Sequence, residues 1–429
     1  MKQTIILILV LAAIGYLVAN GGNFGEQKVR EGLPGRSANT HGVPIDVLYS
    51  DETRAWMEDA HNRFTTEHPE IQVTLRRMPS IESAHAILSG QEKPTIWNPA
   101  DSTVINYLSH LWQEKYGEPI IELQGRNGPV DLVRSPLVWL TWGDTRNEFL
   151  QPDIERPWVD IGCRGIPIPE APAVEPATDA GVMDAVPDAL ATTDSATGVE
   201  PRGSLATDTK AGSESADTAL EPLVFRHATP IESVSGLQAI YLMAYEYLDR
   251  PETMRKEDFD DQFETWFRQC QERIPEFMHS ERRLGSAMFQ FGTRYADVVV
   301  TYEQAALEQL AEAVGKPGEV PTLYYPPHTM VAGHPAVILD PERLPEDVLN
   351  AARTWIAFLS SRDIQESAVK YSWRPVHPDV TIRPSPGAEN PFSEMARFDI
   401  RTELNPAVSP ASGAVAHHLM RIWRQATGR

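Results

Sequence analysis

The sequence predicts an α/β protein in which strands alternate with helices, and three observations carry that prediction. The N-terminal part of the folded chain reads strand, helix, strand, helix, strand, helix, an order typical of a parallel sheet covered by helices. An apolar strand with a helix directly after it recurs at 295–302. The length of 429 residues is enough for two domains or one large two-lobed one, and a hydrophobic content of 41% supports a sizeable core.

The first lobe begins near Val43. Ser50, with acidic residues after it, is typical of a helix start, and the helix that follows carries an apolar stripe. A turn at Ser80 begins the second helix, and the turn at 98–102 begins the third. The strands are predicted at 45–49, 71–75 and 95–97, and the second helix at 81–88.

Hydroxyl side chains cluster at one predicted edge of this sheet. In such sheets ligands bind beyond the C-terminal ends of the strands, where helices begin. Ser50, Ser80 and the turn at 99–102 all fall at that edge. Each alone is explained as a plain helix cap, but three together indicate a candidate site.

The stretch HATPIESVSGLQAIYLMAYEY, residues 227–247, has the same character in the second lobe. Thr229, Ser233, Ser235 and Gly236 precede a helix at 237–248 that is apolar on nearly every side, as buried helices are. The free N–H groups of a helix start can cradle an anion, and Gly236 would let a ligand approach the backbone. An ordinary capped core helix explains the same stretch.

The other predicted elements complete the second lobe and return to the first. Tyr302 ends the strand at 295–302, where its phenol can face a ligand. Strand or extended segments are predicted at 132–142, 323–327 and 336–339, and helices at 259–277, 344–359, 363–371 and 413–426.

Three segments have special compositions. Residues 1–19 contain a short apolar run with one preceding Lys, which predicts a signal peptide or an uncleaved membrane anchor, and 20–42 read as a polar tether. Residues 165–222 are rich in Ala, Pro, Thr, Ser and Asp and contain no aromatic residue, so we predict a disordered acidic insertion there. Cys163 and Cys270 could pair in an exported protein, but the sequence leaves this open.

Charge and motifs favour a binding protein over an enzyme. The net charge of −22 argues against nucleic acid or an anionic membrane surface as the main partner. The sequence contains no GxSxG, HExxH, GxxxxGK[ST], GxGxxG or CxxC motif. His417 and His418 are adjacent, but no third ligand is evident, so neither a metal site nor a cofactor is expected.

Several motifs together resemble the bacterial extracellular solute-binding proteins, in the branch associated with von Willebrand factor A domains. The resemblance covers most of 43–423 outside the insertion and rests on IDVLYSDETRAWMEDAHNRFTTEHPEIQV, AILSG, TIWNPADSTVINYL, HATPIESVSGLQAIYLMAYEY, YADVVVTYEQAALEQL, YPPHTMVAGHPAVIL and YSWRPVHP. It implies a two-lobed type II periplasmic binding fold, each lobe a mostly parallel sheet flanked by helices. The lobes would divide into 43–138, 139–164, 223–325 and 326–429, with the first and last segments forming lobe 1.

The resemblance also implies a function outside the cytoplasm. A small polar ligand, with an oxyanion as the expected class, would bind in the interlobe cleft, and an ABC transporter would receive it. The ligand-binding residues carried over are Ser50, Ser80, Thr229, Ser233, Ser235 and Tyr302. The alternative is a membrane-tethered assembly protein that works with a von Willebrand factor A domain partner, because the chain lacks such a domain itself.

Overall fold

The computed structural model describes residues 42–151, 153–169, 223–315 and 318–429. The predicted anchor at 1–19 lies outside these ranges, as do the tether up to residue 41 and the predicted insertion from residue 170 onward. Among the helices of the described ranges, none combines the length and the hydropathy that a membrane span requires.

Strands and helices alternate along the described chain. The strands are β1 Val43–Tyr49, β2 Ile71–Arg77, β3 Ile96–Asn98, β4 Val130–Asp131, β5 Val133–Thr141, β6 Phe225–Arg226, β7 Val298–Tyr302, β8 Thr322–Tyr324, β9 Val331–Ala332, β10 Pro335–Ile338 and β11 Arg374–Pro375. The helices are α1 Arg54–Glu67, α2 Ser80–Ser89, α3 Ser102–Tyr116, α4 Gly143–Phe149, α5 Pro157–Asp160, α6 Val234–Tyr247, α7 Asp261–Glu272, α8 Glu281–Phe291, α9 Glu303–Ala313, α10 Glu346–Leu359, α11 Arg362–Lys370, α12 Pro391–Glu394 and α13 Gly413–Thr427.

The sheet of the first lobe has the strand order β2–β1–β3–β10–β4. β1 runs parallel to both neighbours, with Val47 opposite Leu75 on one side and Ile96 on the other. β10 returns from the C-terminal half and runs antiparallel to β3 and β4. The predicted β-α alternation of the first lobe is confirmed, because each of β1, β2 and β3 is followed by a helix.

The second sheet has the order β11–β5–β7–β6, and β8 and β9 also pair with β5. β5 is antiparallel to each of its partners, with Leu137 opposite Tyr302, and only the β6–β7 pair is parallel. The two-lobed α/β fold is therefore as expected, but the mostly parallel pairing expected for this lobe is not. The difference arises because β5 is one long strand that pairs along its length with four later segments.

Aromatic side chains fill a core in each lobe. In the first lobe, the rings of Phe64 and Trp355 meet edge to face with centroids 4.8 Å apart. In the second, Trp139 meets Trp158 in the same way at 5.0 Å. Such offset contacts add to the free energy gained by burying large apolar surfaces. Helix α6 is buried over most of its length, as its apolar sequence predicts.

The two cysteines form a disulfide, which answers the question that the sequence left open. Cys163 follows α5, and Cys270 lies in the last turn of α7. Both are 1% exposed, and 107 residues of sequence separate them. Such a bond persists in oxidising compartments outside the cytoplasm.

Two differences from the predicted helices bear on the site. Helix α6 begins at Val234 rather than at residue 237, so Ser233 is its N-cap residue, although its side chain makes no capping hydrogen bond. Helix α8, from Glu281 to Phe291, was not predicted. Its N-cap Ser280 accepts a hydrogen bond from the backbone of Arg283 and was a readable start signal.

Candidate interlobe binding site

The C-terminal edge of the first sheet carries two of the predicted hydroxyls. Ser50, directly after β1, is 1% exposed, and its backbone N–H donates to the carbonyl of Asn98 at 3.0 Å. Its Oγ is buried and has no hydrogen-bond partner in the structure. The Oγ of Ser80, the first residue of α2, accepts from the backbone N–H of Ala100 at 3.0 Å. A buried hydroxyl without a partner is costly unless a ligand or water satisfies it.

Glu52 adds a carboxylate at this edge that the sequence reasoning missed. It lies in the 3-10 turn Asp51–Thr53 directly after Ser50. Although the residue as a whole is partly exposed, its Oε2 is buried and has no hydrogen-bond partner. Burial raises the pKa of Glu52 to about 7, and the nearby carboxylate of Glu281 acts in the same direction.

Asp101 and Asn98 line the same edge deeper in the fold. Asp101, the N-cap of α3, is 1% exposed, and its carboxylate accepts from the backbone N–H of Thr103 at 2.7 Å. Burial raises the pKa of Asp101. The Nδ2 of Asn98 donates to the carbonyls of His334 and Pro335 at 2.7 and 2.9 Å, while its Oδ1 has no partner. This edge therefore carries buried acceptors, and no Lys or Arg of the described ranges forms a salt bridge with them.

The second lobe contributes a cluster of two hydroxyls and a carboxylate. The Oγ atoms of Ser233 and Ser235 lie 2.8 Å apart, and they donate to Oε2 of Glu281 at 3.0 and 3.1 Å respectively. Glu281 is 4% exposed and is the first residue of α8, where the helix dipole favours a negative charge. The two serine hydroxyls, which we expected to face a ligand, are instead engaged by this glutamate.

Gly236 and Thr229 have structural roles. A Cβ placed on Gly236 would lie 2.2 Å from the carbonyl oxygen of Ala228. Glycine is therefore needed here because the protein's own backbone, and not a ligand, occupies that space. This corrects the expectation for Gly236. The N–H of Thr229 donates to the carbonyl of Met278 at 2.8 Å, and its carbonyl accepts from the N–H of Ser233 at 2.9 Å. Thr229 thus shapes the turn that leads into α6.

Tyr302 ends β7, as predicted, but its phenol contacts a protein side chain. Its hydroxyl donates to Oε1 of Gln238 at 2.9 Å, and the Nε2 of Gln238 is buried without a partner. Burial raises the pKa of Tyr302 well above its ordinary value, and the charges of Asp101, Glu281 and Glu52 raise it further. Tyr302 therefore stays protonated and lies within the field of three carboxyl groups from both lobes.

A cavity of about 200 Å³ lies between the two edges. Its first-lobe wall includes Glu52 and Ser80, and its second-lobe wall includes Ser233 and Glu281. The remaining lining residues are Asp51, Pro79, Glu232, Val234, His279, Ser280 and Arg282. A larger cavity of about 550 Å³ beside Gly165 is lined by second-lobe residues alone.

Only some of the six predicted residues line this cavity. Ser80 and Ser233 line the cavity itself. Ser235 does not line the cavity, but its hydroxyl donates to the same carboxylate of Glu281 as that of Ser233. Ser50 directly precedes the turn that carries Glu52. Tyr302 and Thr229 do not line the cavity. A repeated signal was available for the missed glutamates, since each lies within two residues of a serine that opens a helix or turn.

Comparisons with known proteins agree with this architecture. Iron-bound HitA from Pseudomonas aeruginosa is similar with a TM-score of 0.50 at 14% identity, covering 90% of this chain and 99% of that one. IdiA (FutA) from Trichodesmium, in complex with iron and citrate, gives 0.53 at 10% identity, covering 90% and 100%. An ABC transporter substrate-binding protein from Bradyrhizobium japonicum gives 0.52 at 12% identity, covering 90% and 99%. These likenesses show the fold alone.

The family assignment comes from the sequence. No curated protein matches this chain. The family model described as bacterial extracellular solute-binding protein matches residues 45–374, a range that contains part or all of every strand and every residue of the candidate site. The chain belongs to the bacterial extracellular solute-binding protein family.

Proposed function

We propose that this protein captures a small, positively charged solute between its two lobes, outside the cytoplasm, and delivers it to an ABC-type transporter. The observation that carries the proposal is the cavity bounded by Glu52 and Ser80 of one lobe and by Ser233 and Glu281 of the other. A ligand that touches both walls would stabilise the closed arrangement of the lobes. The other predicted residues would position the walls without lining the cavity, namely Ser50, Thr229, Ser235 and Tyr302.

The charge of the walls decides the ligand class within this proposal. Glu52 and Glu281 face the cavity together with Asp51 and Glu232. Two guanidinium groups of the described residues lie near these walls, and both are already paired. Arg282 contacts the carboxylate of Glu308 at 2.6 Å, and Arg77 contacts that of Asp51 at 3.2 Å. Two like charges 4 Å apart repel by about 4 kcal/mol at an effective dielectric constant of 20. An oxyanion, the class expected from the sequence, would meet that repulsion, whereas an ammonium, a guanidinium or a metal cation would relieve it.

The alternative of an assembly protein with a von Willebrand factor A partner predicts a cleft filled by Trp or Tyr side chains. The cavity walls in the described residues include neither. Small-molecule capture is therefore the better supported function. Retention at the cytoplasmic membrane by the segment 1–19 is proposed on the sequence alone.

The first test is the charge of the ligand. Cationic compounds (amines, guanidino compounds, basic amino acids, divalent cations) are expected to raise the melting temperature, and oxyanions are not. A ligand at 100 times its Kd adds about 2.7 kcal/mol to the free energy of unfolding. Glu281→Gln should weaken binding by about 1.5–3 kcal/mol, or one to two decades in Kd by calorimetry.

A matched control for that variant is Glu346→Gln, because Glu346 is also the first residue of a helix, α10, but is exposed and outside the site. It should bind as the wild type does. Stabilisation by oxyanions with none by cationic compounds would contradict the proposed charge. Failure of both classes would contradict solute capture itself.

The second test is the pH dependence of binding. A proton and a cationic ligand compete for Glu52, whose pKa burial raises to about 7. Affinity is therefore expected to rise about tenfold between pH 6 and pH 8, because the carboxylate forms over that range. The folding stability of the ligand-free protein changes with pH in the opposite direction. The folded pKa exceeds the unfolded one, so this group favours folding at low pH, and that contribution is lost as the pH rises through 7.

Calorimetric titrations of the wild type and Glu52→Gln at pH 6, 7 and 8 measure the effect. The variant should bind more weakly and with a flatter pH profile. His279 also lies in the cavity wall, where it contacts the carboxylate of Glu232, so the variant is needed to isolate the contribution of Glu52. An unchanged slope in Glu52→Gln would show that Glu52 does not face the ligand.

A further inference from the structure

We propose that His110, Glu114 and His417 form a binding site for a divalent transition-metal ion such as Zn²⁺, on the surface where α3 meets the C-terminal helix α13. One ligand atom from each of the three side chains lies within 4.8 Å of the other two. Two imidazoles and one carboxylate are a donor set that Zn²⁺ accepts in proteins. This site is independent of the interlobe cavity.

The crossing of the two helices positions the three side chains. A Cβ on Gly413 would lie 2.1 Å from the carbonyl oxygen of Asn106 and 2.5 Å from the Cβ of His110, so the backbones meet at this glycine. The Nδ2 of Asn106 donates to the carbonyl of Ala411 at 2.9 Å and fixes the start of α13. His417 lies one turn beyond Gly413 on the same face, and His110 lies one turn beyond Asn106. The rigid crossing therefore sets the two imidazoles side by side.

The distances require little adjustment for an ion. The Nε2 of His110 lies 3.4 Å from Oε1 of Glu114, one turn further along α3. With metal–ligand bonds of about 2.0–2.2 Å, a tetrahedral ion places its ligand atoms roughly 3.3–3.5 Å apart. The His110 and His417 ring centroids are 6.0 Å apart. The side chains of Glu114 and His417 are exposed, so each is free to change rotamer as an ion binds.

The adjacent histidine belongs to a different surface. The ring of His418 stacks on that of Phe259 at 5.7 Å, and its Nδ1 lies 3.2 Å from a guanidinium nitrogen of Arg421. His417 instead faces His110 and Tyr107. The pair that is adjacent in sequence is therefore split, and the companions of His417 come from α3, about three hundred residues earlier, where a local motif search cannot find them.

An ion here would strengthen a helix that joins the two lobes. Helix α13 packs on α3 of the first lobe, and its Trp423 Nε1 donates to Oε1 of Gln271 in α7 at 3.1 Å. Because a metal that binds only the folded state stabilises it by mass action, Zn²⁺ should raise the melting temperature. The outward exposure of Glu114 and His417 leaves the remaining coordination position to water or to an external ligand.

The experiment titrates the metal-free, disulfide-intact chain with Zn²⁺ by calorimetry and with Co²⁺ by visible absorption. His417→Ala and His110→Ala are each expected to weaken Zn²⁺ binding by at least about 100-fold, because even loss of a group that supports a ligand costs about 10- to 100-fold. His418→Ala should bind as the wild type does. His417 is exposed, and alanine at 110 keeps the Cβ that packs beside Gly413, so both variants should keep the metal-free melting temperature.

Co²⁺ spectra of tetrahedral type in the wild type, lost in His417→Ala, would support the assignment. The absence of tight Zn²⁺ binding in the wild type, or equal affinity in His417→Ala, would overturn it. The variant Glu281→Gln shows which of the two sites, interlobe or surface, holds the ion. If Zn²⁺ binding disappears in that variant and persists in His417→Ala, the ion binds between the lobes and the surface site is wrong.

Discussion

Replacing both cysteines by serine is expected to lower the free energy of unfolding by about 4–5 kcal/mol, because the disulfide closes a loop of about one hundred residues. The sequence separation of Cys163 and Cys270 is 107 residues. Most of the stabilisation comes from restricting the unfolded chain, and the cost grows with the length of chain that the bond closes. Both sulfurs are buried in the second lobe, so the two serine hydroxyls of the variant would be removed from water on folding, which also costs free energy.

Urea unfolding of the wild type and of the double variant Cys163→Ser/Cys270→Ser measures this difference by linear extrapolation. Wild type treated with a reductant is the control for the substitutions themselves, and it should lose a similar free energy. A double variant within about 1 kcal/mol of the oxidised wild type would contradict the prediction. A loss of the expected size would mean that the second lobe depends on an oxidising compartment for its stability.

The local order of elements could be predicted from the sequence, because it follows from short-range patterns. Alternation of apolar residues marks β1 and β2, and the stripe of Trp56, Ala60 and Phe64 marks α1. The pairing of β5 could not be predicted in this way. It depends on which distant segments reach the two sides of one long apolar strand, and the five-residue match of Leu137–Thr141 to β7 is set by tertiary packing.

The sheet edge that carries Ser50 and Ser80 could be predicted from the sequence, but the groups that these and the other candidate side chains contact could not. Parallel strands bring their C-terminal ends to one edge, so Ser50 and Ser80 could be placed there from the β-α order. The hydrogen-bond partner of a hydroxyl could not be predicted in the same way. Glu281 lies 48 residues from Ser233, and nothing in the local sequence indicates that its carboxylate accepts two serine hydroxyls. The acidic character of the cavity, and with it the proposed ligand class, emerges only when both lobes are assembled.

Removing the buried guanidinium of Arg374 is expected to lower the free energy of unfolding by about 3–5 kcal/mol, since it leaves an uncompensated buried carboxylate. The Nε and Nη2 atoms of Arg374 donate to the two carboxylate oxygens of Glu303 at 2.6 and 2.7 Å. Glu303 is 0% exposed, and the hydroxyl of Tyr325 donates to the same carboxylate. The pair therefore ties β11 to the start of α9, and Tyr325, directly after β8, joins the same carboxylate.

The experiment compares Arg374→Ala with the double variant Arg374→Met/Glu303→Gln by urea unfolding. The double variant should recover much of the loss, because no charge is then buried alone. Arg383→Ala is the matched control, as Arg383 contacts Glu403 at 3.2 Å with both side chains largely exposed, and it should have no measurable effect. Glu303 directly follows Tyr302, so Arg374→Ala should also weaken solute binding, and the double variant should restore part of it. A single variant as stable as the wild type would show that Glu303 does not carry a buried charge.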